Sequence, residues 1–383
     1  MKRTIYEAFS KFPRLKPGMK IKLLTHTDMD GEGPVILLKL IFGTENLDVQ
    51  HCSNNSMSYD IGTTVQNDEI CSKYDIIIAT DISCNEKTAG YINQSKNRHK
   101  FILLDHHSSA EFLDKNDWAC VQPDVFTDCY RAEFYKSFEP YLGHSSGTSL
   151  MYDYLDYCGL LTLLPEPVLN QVRKFVSMVV AYDTWEWHEI LNDAPEYEQL
   201  DKLFELYGDE IFTKRMLQKF SNHDISFDDT DKLMLAVDET KCRNYVKNLE
   251  SKFNTGNLKL SDGTYASIVY TGATSYLQDV FERMKELYPD RDLYIISYGS
   301  GISVRSVKPE YDLSKFLAQF GGGGHPGAAA GHAAMTPNHE TRCNMHTFMV
   351  PCLLGLEKLV GDEIRRLGLK DVQVENGRVL CRG

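Results

Sequence analysis

Apolar residues are grouped along the chain in short unbroken runs that alternate with helical patterns. The runs at 21–24, 76–79 and 101–104 are typical of strands that are buried on both faces of a parallel sheet. Helical segments are predicted at 34–42, after the first run, and at 85–98, after the second. This alternation predicts an α/β fold with a doubly wound, mostly parallel sheet.

The rest of the chain is predicted to be mainly helical as far as residue 255, and strand patterns then return. The segment 43–72 is polar. The segment 108–142 is aromatic and acidic with no clear period, and it is predicted to be a long insertion or an irregular loop. A new strand–helix alternation from Leu258 onwards predicts a second, smaller α/β domain. The expected helices are 149–157, 167–182, 197–207, 210–220, 231–253, 276–288 and 313–320, and the expected strands of the second domain are 266–270, 293–298 and 301–306.

Composition and charge narrow the classes of partner. The chain has 383 residues, of which 42% are hydrophobic and 25% charged, with a formal net charge of -13. A protein that holds long duplexes by bulk electrostatics would more often be basic. Bound metal ions can supply local positive charge instead, so the balance favours small or short anionic substrates.

Cysteine usage and hydropathy bear on the compartment. The 10 cysteines are scattered and include no Cys-x-x-Cys pair, which favours a reducing environment. Residues 1–20 contain no apolar signal segment, and the longest apolar stretch, Val35–Phe42, is too short to cross a bilayer. We expect a cytoplasmic protein with no membrane partner.

An acidic stretch follows the first apolar run. His26, Asp28, Asp30 and Glu32 lie there within seven residues. Carboxylates this close repel one another and are costly to bury without a partner. Oxygen ligands with one imidazole suit Mg²⁺ or Mn²⁺, although an acidic surface turn explains this stretch equally well when it is taken alone.

The other two apolar runs also end at acids. Asp81 follows the second, and Asp105-His106-His107 ends the third. In open α/β sheets, sites form outside the carboxyl ends of the strands, so these groups could converge. Taken singly, Asp81 could cap a helix and a histidine could pair with a carboxylate in a turn. Asp183 ends a long apolar helix, where the alternative is a polar residue on a frayed end.

A glycine-rich segment, Gly321–Gly331, is the candidate for binding an anion. Its six glycines would let backbone amides approach a phosphate, with His325 as an added donor. Arg305 could bind a phosphate through two nitrogens, and a helix is predicted to start at the following alanines, 328–330. The alternative for the glycine-rich segment is a flexible linker, and the alternative for Arg305 is a surface salt bridge.

Together these residues resemble the DHH phosphoesterase family. The matching motifs are His26-Thr-Asp28-Met-Asp30-Gly31, Asp81 after a hydrophobic strand, Asp105-His106-His107, and Asp183. Arg305-Ser306 and the segment Phe320–Gly331 match the DHH-associated domain that often follows, so the resemblance covers roughly residues 20 to 334.

The resemblance implies a domain organisation. A catalytic domain is expected at 1–190, a helical connector at 191–255 and a substrate-binding domain at 256–334, with a cleft between the two functional domains. A short appended segment occupies 335–383. Within it, residues 347–383 resemble the opening of a THUMP-containing RNA methyltransferase, with one helix at 355–367 and one or two strands. No catalysis is assigned to this segment.

The resemblance also implies a site with two ions, Mn²⁺ or Mg²⁺. His26 and Asp28 would serve one ion, Asp30, His106 and Asp183 the other, and Asp81 both. Which of the two ions each of Asp28, Asp30 and Glu32 would bind stays open. Asp105 and His107 would be partners of the ligands or catalytic groups. The residues expected to bind substrate are Arg305, Ser306, Gly322, Gly323, Gly324 and His325.

Length and layout are similar to those of the bacterial nano-RNases. They imply hydrolysis of short oligoribonucleotides to 5′ mononucleotides. The alternatives are a phosphatase of 3′-phosphoadenosine 5′-phosphate and a phosphodiesterase of cyclic or linear dinucleotides. A catalytically inactive nucleic-acid-binding scaffold is less favoured, because no expected acidic ligand is missing. Expected partners are short RNA or DNA oligonucleotides or small phosphorylated nucleotides, and a homodimer stays open.

Overall fold

The chain divides into two compact units, Met1–Arg243 and Asn244–Gly383. The computed structural model describes residues 4–123, 144–189, 194–260, 263–299 and 301–306, and after these mainly individual strands. Among the described helices, none has both the length and the apolar character that crossing a membrane requires.

The first unit is built on a five-stranded sheet in which every described pair of strands is parallel. The strand order is β2-β1-β3-β4-β5. The three buried runs form its centre, as predicted. The prediction missed β2, a partly exposed edge strand, and β5, which has only three residues. The strands are β1 (Ile21–Thr25), β2 (Leu47–His51), β3 (Ile76–Thr80), β4 (Phe101–Asp105) and β5 (Ala119–Val121).

Helices cover both faces of this sheet, which confirms the doubly wound α/β class. Residues that alternate along each strand enter different cores: Leu23 packs into one cluster and Leu24 into the other. The helices are α1 (Ile5–Phe9), α2 (Met29–Phe42), α3 (Met57–Gln66), α4 (Asp68–Lys73), α5 (Glu86–Gln94), α6 (Gly147–Tyr157), α7 (Glu166–Asp183), α8 (Glu186–Glu189), α9 (Pro195–Ser221) and α10 (Asp229–Glu250).

Two of these helices differ from the sequence prediction. Helix α2 begins at Met29 rather than at Pro34, because the side chain of Asp28 caps it by accepting from the amide of Gly31 at 2.9 Å. Much of the acidic stretch therefore lies in the first turns of a helix. Helix α9 is kinked at Gly208, whose φ of 71° breaks the helical path, and its apolar side joins the main core.

The second unit contains a mixed six-stranded sheet with the order β10-β11-β9-β8-β7-β6. Of the strand pairs described in it, only that of β7 with β8 is parallel, and helix α11 (Leu277–Leu287) connects these two strands. The prediction of a helix starting at 328–330 was wrong, because these alanines pair as a strand with β9 and β10. The strands are β6 (Asn254–Lys259), β7 (Tyr265–Gly272), β8 (Leu293–Tyr298), β9 (Gly301–Arg305), β10 (Gly323–His325) and β11 (Ala328–His332).

The last strands form a separate sheet of three in the order β12-β14-β13, where one or two strands were expected. They are β12 (Thr347–Pro351), β13 (Lys370–Glu375) and β14 (Arg378–Arg382). The helices predicted at 313–320 and 355–367 fall largely outside the described residues, and so does 124–143, most of the predicted insertion.

Candidate metal centre

The candidate ligands lie at the carboxyl ends of adjacent parallel strands. His26 follows β1, and Asp30 lies in the first turn of α2. Asp81 directly follows β3, and Asp105 is the last residue of β4. Asp183 is the last residue of α7. Because parallel strands present the same end at one edge of the sheet, residues far apart in sequence meet there.

Among the residues that the structure describes, three overlapping groups of side chains could each hold a metal ion. Within each group, the candidate ligand atoms all lie within 4.8 Å of one another. Asp81 belongs to two of the groups, and His106 also belongs to two. The groups are His26, Asp28 and Asp81; Asp30, His106 and Asp183; and Asp81, Asp105, His106 and His107.

His26 and His106 each face several carboxylates. Nδ1 of His26 lies 2.5 Å from Oδ2 of Asp28 and 3.9 Å from Oδ2 of Asp81. Nε2 of His106 lies 3.2 Å from Oδ1 of Asp81 and 3.8 Å from Oδ2 of Asp30. The same nitrogen is 3.6 Å from Oδ2 of Asp183. The hydrogen bond with Asp28 raises the pKa of His26, whereas burial lowers the pKa of His106.

Asp105 holds the second histidine of its motif. Its Oδ1 accepts from the amides of His106 at 2.8 Å and His107 at 3.3 Å, and it lies 2.8 Å from Nδ1 of His107. Burial alone would raise the pKa of Asp105, but the bond with His107 and the charge of that imidazole keep it below its ordinary value. The same hydrogen bond raises the pKa of His107.

The remaining carboxylates are electrostatically costly without a cation. Burial and the nearby charge of Asp30 raise the pKa of Asp81 and of Asp183 well above the ordinary value. Among the described residues, nothing donates a hydrogen bond to Oδ2 of Asp81, Asp105 or Asp183. Buried polar atoms in proteins are normally paired, and oxygen and imidazole donors suit Mn²⁺ or Mg²⁺. The donor set therefore fits a divalent metal centre.

The backbone is strained at Asp81, one of the candidate ligands. Asp81 has a φ of 56°, in the left-handed region that residues with a side chain seldom adopt. Such conformations persist where the surroundings force them, often at functional sites. Its amide donates to the carbonyl of Leu104 at 3.0 Å, which ties the turn after β3 to β4.

Glu32 lies apart from the three metal-binding groups. Its Oε2 is 2.9 Å from Nε2 of His51, and the hydroxyl of Thr213 donates to its Oε1. This links α2 to β2 and α9. Of the carboxylates left open by the sequence, Asp28 and Asp30 thus lie in the groups, and Glu32 belongs to a separate buried cluster.

A cavity of about 330 Å³ adjoins these ligands. Burial and the charge of Glu205 raise the pKa of Asp201 in its wall to about 6. An acidic wall of this kind disfavours a phosphate unless a cation lies beside it. The lining residues are Thr27, Asp28, Met29, Asp30, Tyr182, Asp183, Asp201, Phe204 and Glu205.

The predicted substrate-binding residues belong to the second unit. The guanidinium of Arg305 lies 5.0 Å from the ring centre of Phe281, and its buried Nε has no hydrogen-bond partner among the described residues. The hydroxyl of Ser306 donates to the carbonyl of Asp292 at 2.8 Å. The backbone of Gly323, Gly324 and His325 forms β10, and Gly322 lies outside the described residues.

Sequence reasoning missed the residues that surround Asp30. Oδ2 of Asp30 accepts from the amide of Gly147 at 2.5 Å, and Oδ1 accepts from the amide of Thr148 at 3.0 Å. The only signal was Ser145-Ser146-Gly147-Thr148 ahead of a helical pattern, which indicates a helix start without indicating what it contacts.

Comparison with known proteins agrees with the motifs. The chain is 29% identical to oligoribonuclease NrnB of Bacillus subtilis (strain 168) over 311 residues, which cover 80% of this chain and 71% of that protein. The family model described as the RlmL ferredoxin-like domain matches residues 347–383, where the sequence resembled an RNA methyltransferase.

Comparison with solved structures gives matches of lower sequence identity. A pGpG-specific phosphodiesterase, PggH from Vibrio cholerae, is 15% identical with a TM-score of 0.44, over 82% of this chain and 94% of that one. RecJ in complex with Mn²⁺ from Thermus thermophilus is 14% identical with a TM-score of 0.42, over 96% of this chain and 61% of that one. In its motifs and in its sequence, which is similar to that of NrnB, the chain resembles the DHH phosphoesterases, a family of hydrolases.

Proposed function

We propose that this protein hydrolyses short oligoribonucleotides to 5′ mononucleotides with the help of two divalent ions, Mn²⁺ or Mg²⁺. The proposal depends on one observation: among the described residues, several buried carboxylate oxygens lack a hydrogen-bond donor, and they lie beside the imidazoles of His26, His106 and His107. The similarity to an oligoribonuclease supports the choice of substrate. A cytoplasmic location suits such fragments, which arise inside cells.

The proposed ligands follow the overlapping groups. His26 and Asp28 would hold one ion, Asp30, His106 and Asp183 the other, and Asp81, which belongs to two groups, would serve both. Two bound divalent ions lower the pKa of a water molecule and stabilise the charge that develops on a phosphate. The carboxylates balance the charge of the ions, and the low exposure of Asp30 and Asp81, 2% and 3%, excludes bulk water.

His107 is proposed to act on the phosphate or on the leaving oxygen. Its raised pKa favours the protonated imidazole, and Asp105 holds its Nδ1, so Nε2 remains free to donate. A positioned acid of this kind typically contributes about 10²–10⁴-fold to the rate. Asp105, fully buried, would act by orienting the ring.

The second unit is proposed to bind a distal phosphate of the substrate. Among the described residues, Nε of the Arg305 guanidinium has no hydrogen-bond partner, and a guanidinium can bind two phosphate oxygens at once. The segment Gly322, Gly323, Gly324 and His325 would add hydrogen-bond donors, whereas the hydroxyl and the amide of Ser306 already donate to the carbonyls of Asp292 and Gly327.

A substrate panel tests the proposal directly. End-labelled RNA and DNA of two to seven nucleotides, 3′-phosphoadenosine 5′-phosphate and cyclic dinucleotides would be incubated with Mn²⁺ or with EDTA. We expect 5′ mononucleotides from the short RNAs with Mn²⁺ and none with EDTA. A clear preference for 3′-phosphoadenosine 5′-phosphate or for cyclic dinucleotides would replace this function by the corresponding alternative.

The proposed ligands are tested by Asp81→Asn and His106→Ala. Because each removes a group that would bind a metal ion, we expect turnover of a short RNA to fall by at least about 100-fold. The matched control is Asp68→Asn, which removes an exposed carboxylate paired with Lys96 and should keep turnover within about twofold. Circular dichroism would establish that each variant is folded. Unchanged rates in Asp81→Asn would refute the assignment.

A further inference from the structure

The start of helix α6 is built around the carboxylate of Asp30. Ser146 caps this helix, and its hydroxyl accepts from the amide of Ser149 at 3.2 Å. The amides of Gly147 and Thr148, which have no partner inside the helix, donate to Oδ2 and Oδ1 of Asp30 at 2.5 and 3.0 Å. One donor on each oxygen fixes the plane of the carboxylate, and the positive end of the helix dipole favours its charge.

A proline in α2 creates a second link to the same residue. Pro34 has no N–H, so the carbonyl of Asp30, four residues earlier, lacks the donor that an ordinary helix would supply. The hydroxyl of Thr148 donates to that carbonyl at 2.9 Å. Thr148 therefore holds Asp30 twice, through its amide to the side chain and through its hydroxyl to the main chain.

The approach of α6 to the carboxylates depends on glycine. A Cβ atom at Gly147 would lie 2.6 Å from Cβ of Asp81 and 3.1 Å from Oδ2 of Asp30. A Cβ atom at Gly33 would overlap the hydroxyl of Thr148. Both positions are closer than van der Waals contact allows, so a side chain at either would push α6 away from Asp30.

We infer that Gly147 and Thr148 are positioning residues for the metal centre, which hold Asp30 in place for an ion shared with His106 and Asp183. The inference rests on the proposed function, in which Asp30 is a ligand. Oδ2 of Asp30 remains 3.8 Å from Nε2 of His106, so the amide bonds leave that oxygen directed at the shared centre. Partners of this kind typically contribute about 10- to 100-fold to metal affinity.

The decisive variant of the full chain is Thr148→Val. It keeps the shape and the amide and removes only the hydroxyl bond to Asp30. Isothermal titration with Mn²⁺ should show affinity weakened by about tenfold or more, whereas Thr148→Ser should bind within about threefold of the wild type. The matched control is Thr88→Val, in the first turn of α5, where the hydroxyl accepts from Ser58, and it should bind Mn²⁺ like the wild type.

A compensating variant separates positioning from a general loss of structure. Pro34→Ala restores an N–H that can bond the carbonyl of Asp30 within the helix. The double variant Pro34→Ala/Thr148→Val should therefore bind Mn²⁺ more tightly than Thr148→Val alone. If Thr148→Val does not fold, the double variant is titrated with Mn²⁺ instead and is compared with Pro34→Ala. A Mn²⁺ affinity of the double variant more than about tenfold weaker than that of Pro34→Ala would overturn the inference.

The outcomes distinguish this inference from the proposed function. If the wild type binds no Mn²⁺ and hydrolyses no short RNA, the proposed function fails. If the wild type does both and Thr148→Val binds Mn²⁺ with unchanged affinity, the metal centre stands and only the positioning role is refuted.

Discussion

At the scale of single residues, Asp81 shows why a cation would stabilise the candidate centre. It is 3% exposed, adopts a left-handed backbone conformation and has a strongly raised pKa, caused by burial and by Asp30. A buried carboxylate among other carboxylates opposes folding unless a positive charge offsets it. Under the proposed function these oxygens would bind a divalent ion, whose charge would offset the cost.

This cost predicts how metal and stability are linked. In EDTA, Asp81→Asn should unfold at a higher urea concentration than the wild type, by a free energy on the order of 1 kcal/mol, because it removes a buried charge. A Mn²⁺ concentration of 100 times the dissociation constant should stabilise the wild type by about 2.7 kcal/mol. The same concentration should stabilise Asp81→Asn much less, because the variant lacks a proposed ligand.

Chemical denaturation with and without Mn²⁺ measures both effects. Asp68→Asn, at an exposed position, should follow the wild type in each condition. An Asp81→Asn variant that is less stable than the wild type in EDTA and is still fully stabilised by Mn²⁺ would contradict this account.

The candidate ligands could be predicted from the sequence, but the residues that contact them in space could not. The acids and histidines stand at the ends of apolar runs, and parallel strands bring such ends together, so the centre was visible in the sequence. The partners of Asp30 were not, because Gly147 lies 117 positions away and its contact depends on how α6 meets α2. The serines ahead of the helical pattern indicate a helix start but not the carboxylate that the start of the helix contacts.

At the scale of elements, the cluster around Glu32 fastens three of them together. His51 at the end of β2 and Thr213 of α9 both bond this carboxylate of α2. Nδ1 of His51 also lies 3.6 Å from Oδ2 of Asp209. The bond with Glu32 raises the pKa of His51 above 6.5, with Asp209 adding to the effect and Lys39 opposing it.

The sign of that shift predicts a pH dependence. A histidine whose pKa is higher in the folded state contributes stability that is complete below its unfolded pKa of 6.5 and is lost as the pH rises through the folded pKa. His51→Gln should therefore lower the melting temperature most at about pH 6 and progressively less above about pH 7. Melting curves across this range and into alkaline pH measure the difference, and a difference that grows with pH would refute the pairing.

Two element boundaries explain where sequence patterns fail. The apolar pattern put the start of α2 at Pro34, a residue common in first turns, but capping by Asp28 extends the helix back to Met29. The alanines at 328–330 favour a helix by propensity. They form a strand because β9 and β10 pair with their backbone on both sides, and small side chains fit the buried position of Ala329.

At the scale of the whole molecule, the parallel sheet was the most predictable feature. Its central strands are unbroken apolar runs, because both faces are covered by helices. The edge strand β2 alternates and β5 is short, so neither shows such a run. Which strands of the second unit pair in parallel depends on contacts that local patterns do not encode.

The division of labour proposed for the two units predicts a kinetic signature. In the proposal, Arg305 binds a phosphate other than the one that reacts. Arg305→Gln should therefore raise KM for a five-nucleotide RNA by about 10- to 100-fold and leave kcat almost unchanged. The rise in KM corresponds to the loss of one charge-assisted hydrogen bond, about 1.5–3 kcal/mol. A dinucleotide, which has fewer phosphates to place at a distance, should be affected less. The matched control is Arg243→Gln, whose guanidinium pairs with Glu239 on an exposed surface. Equal effects on both substrate lengths, or a fall in kcat alone, would show that Arg305 acts in another way, because a residue that contacts only a distal phosphate cannot distinguish the transition state from the bound substrate.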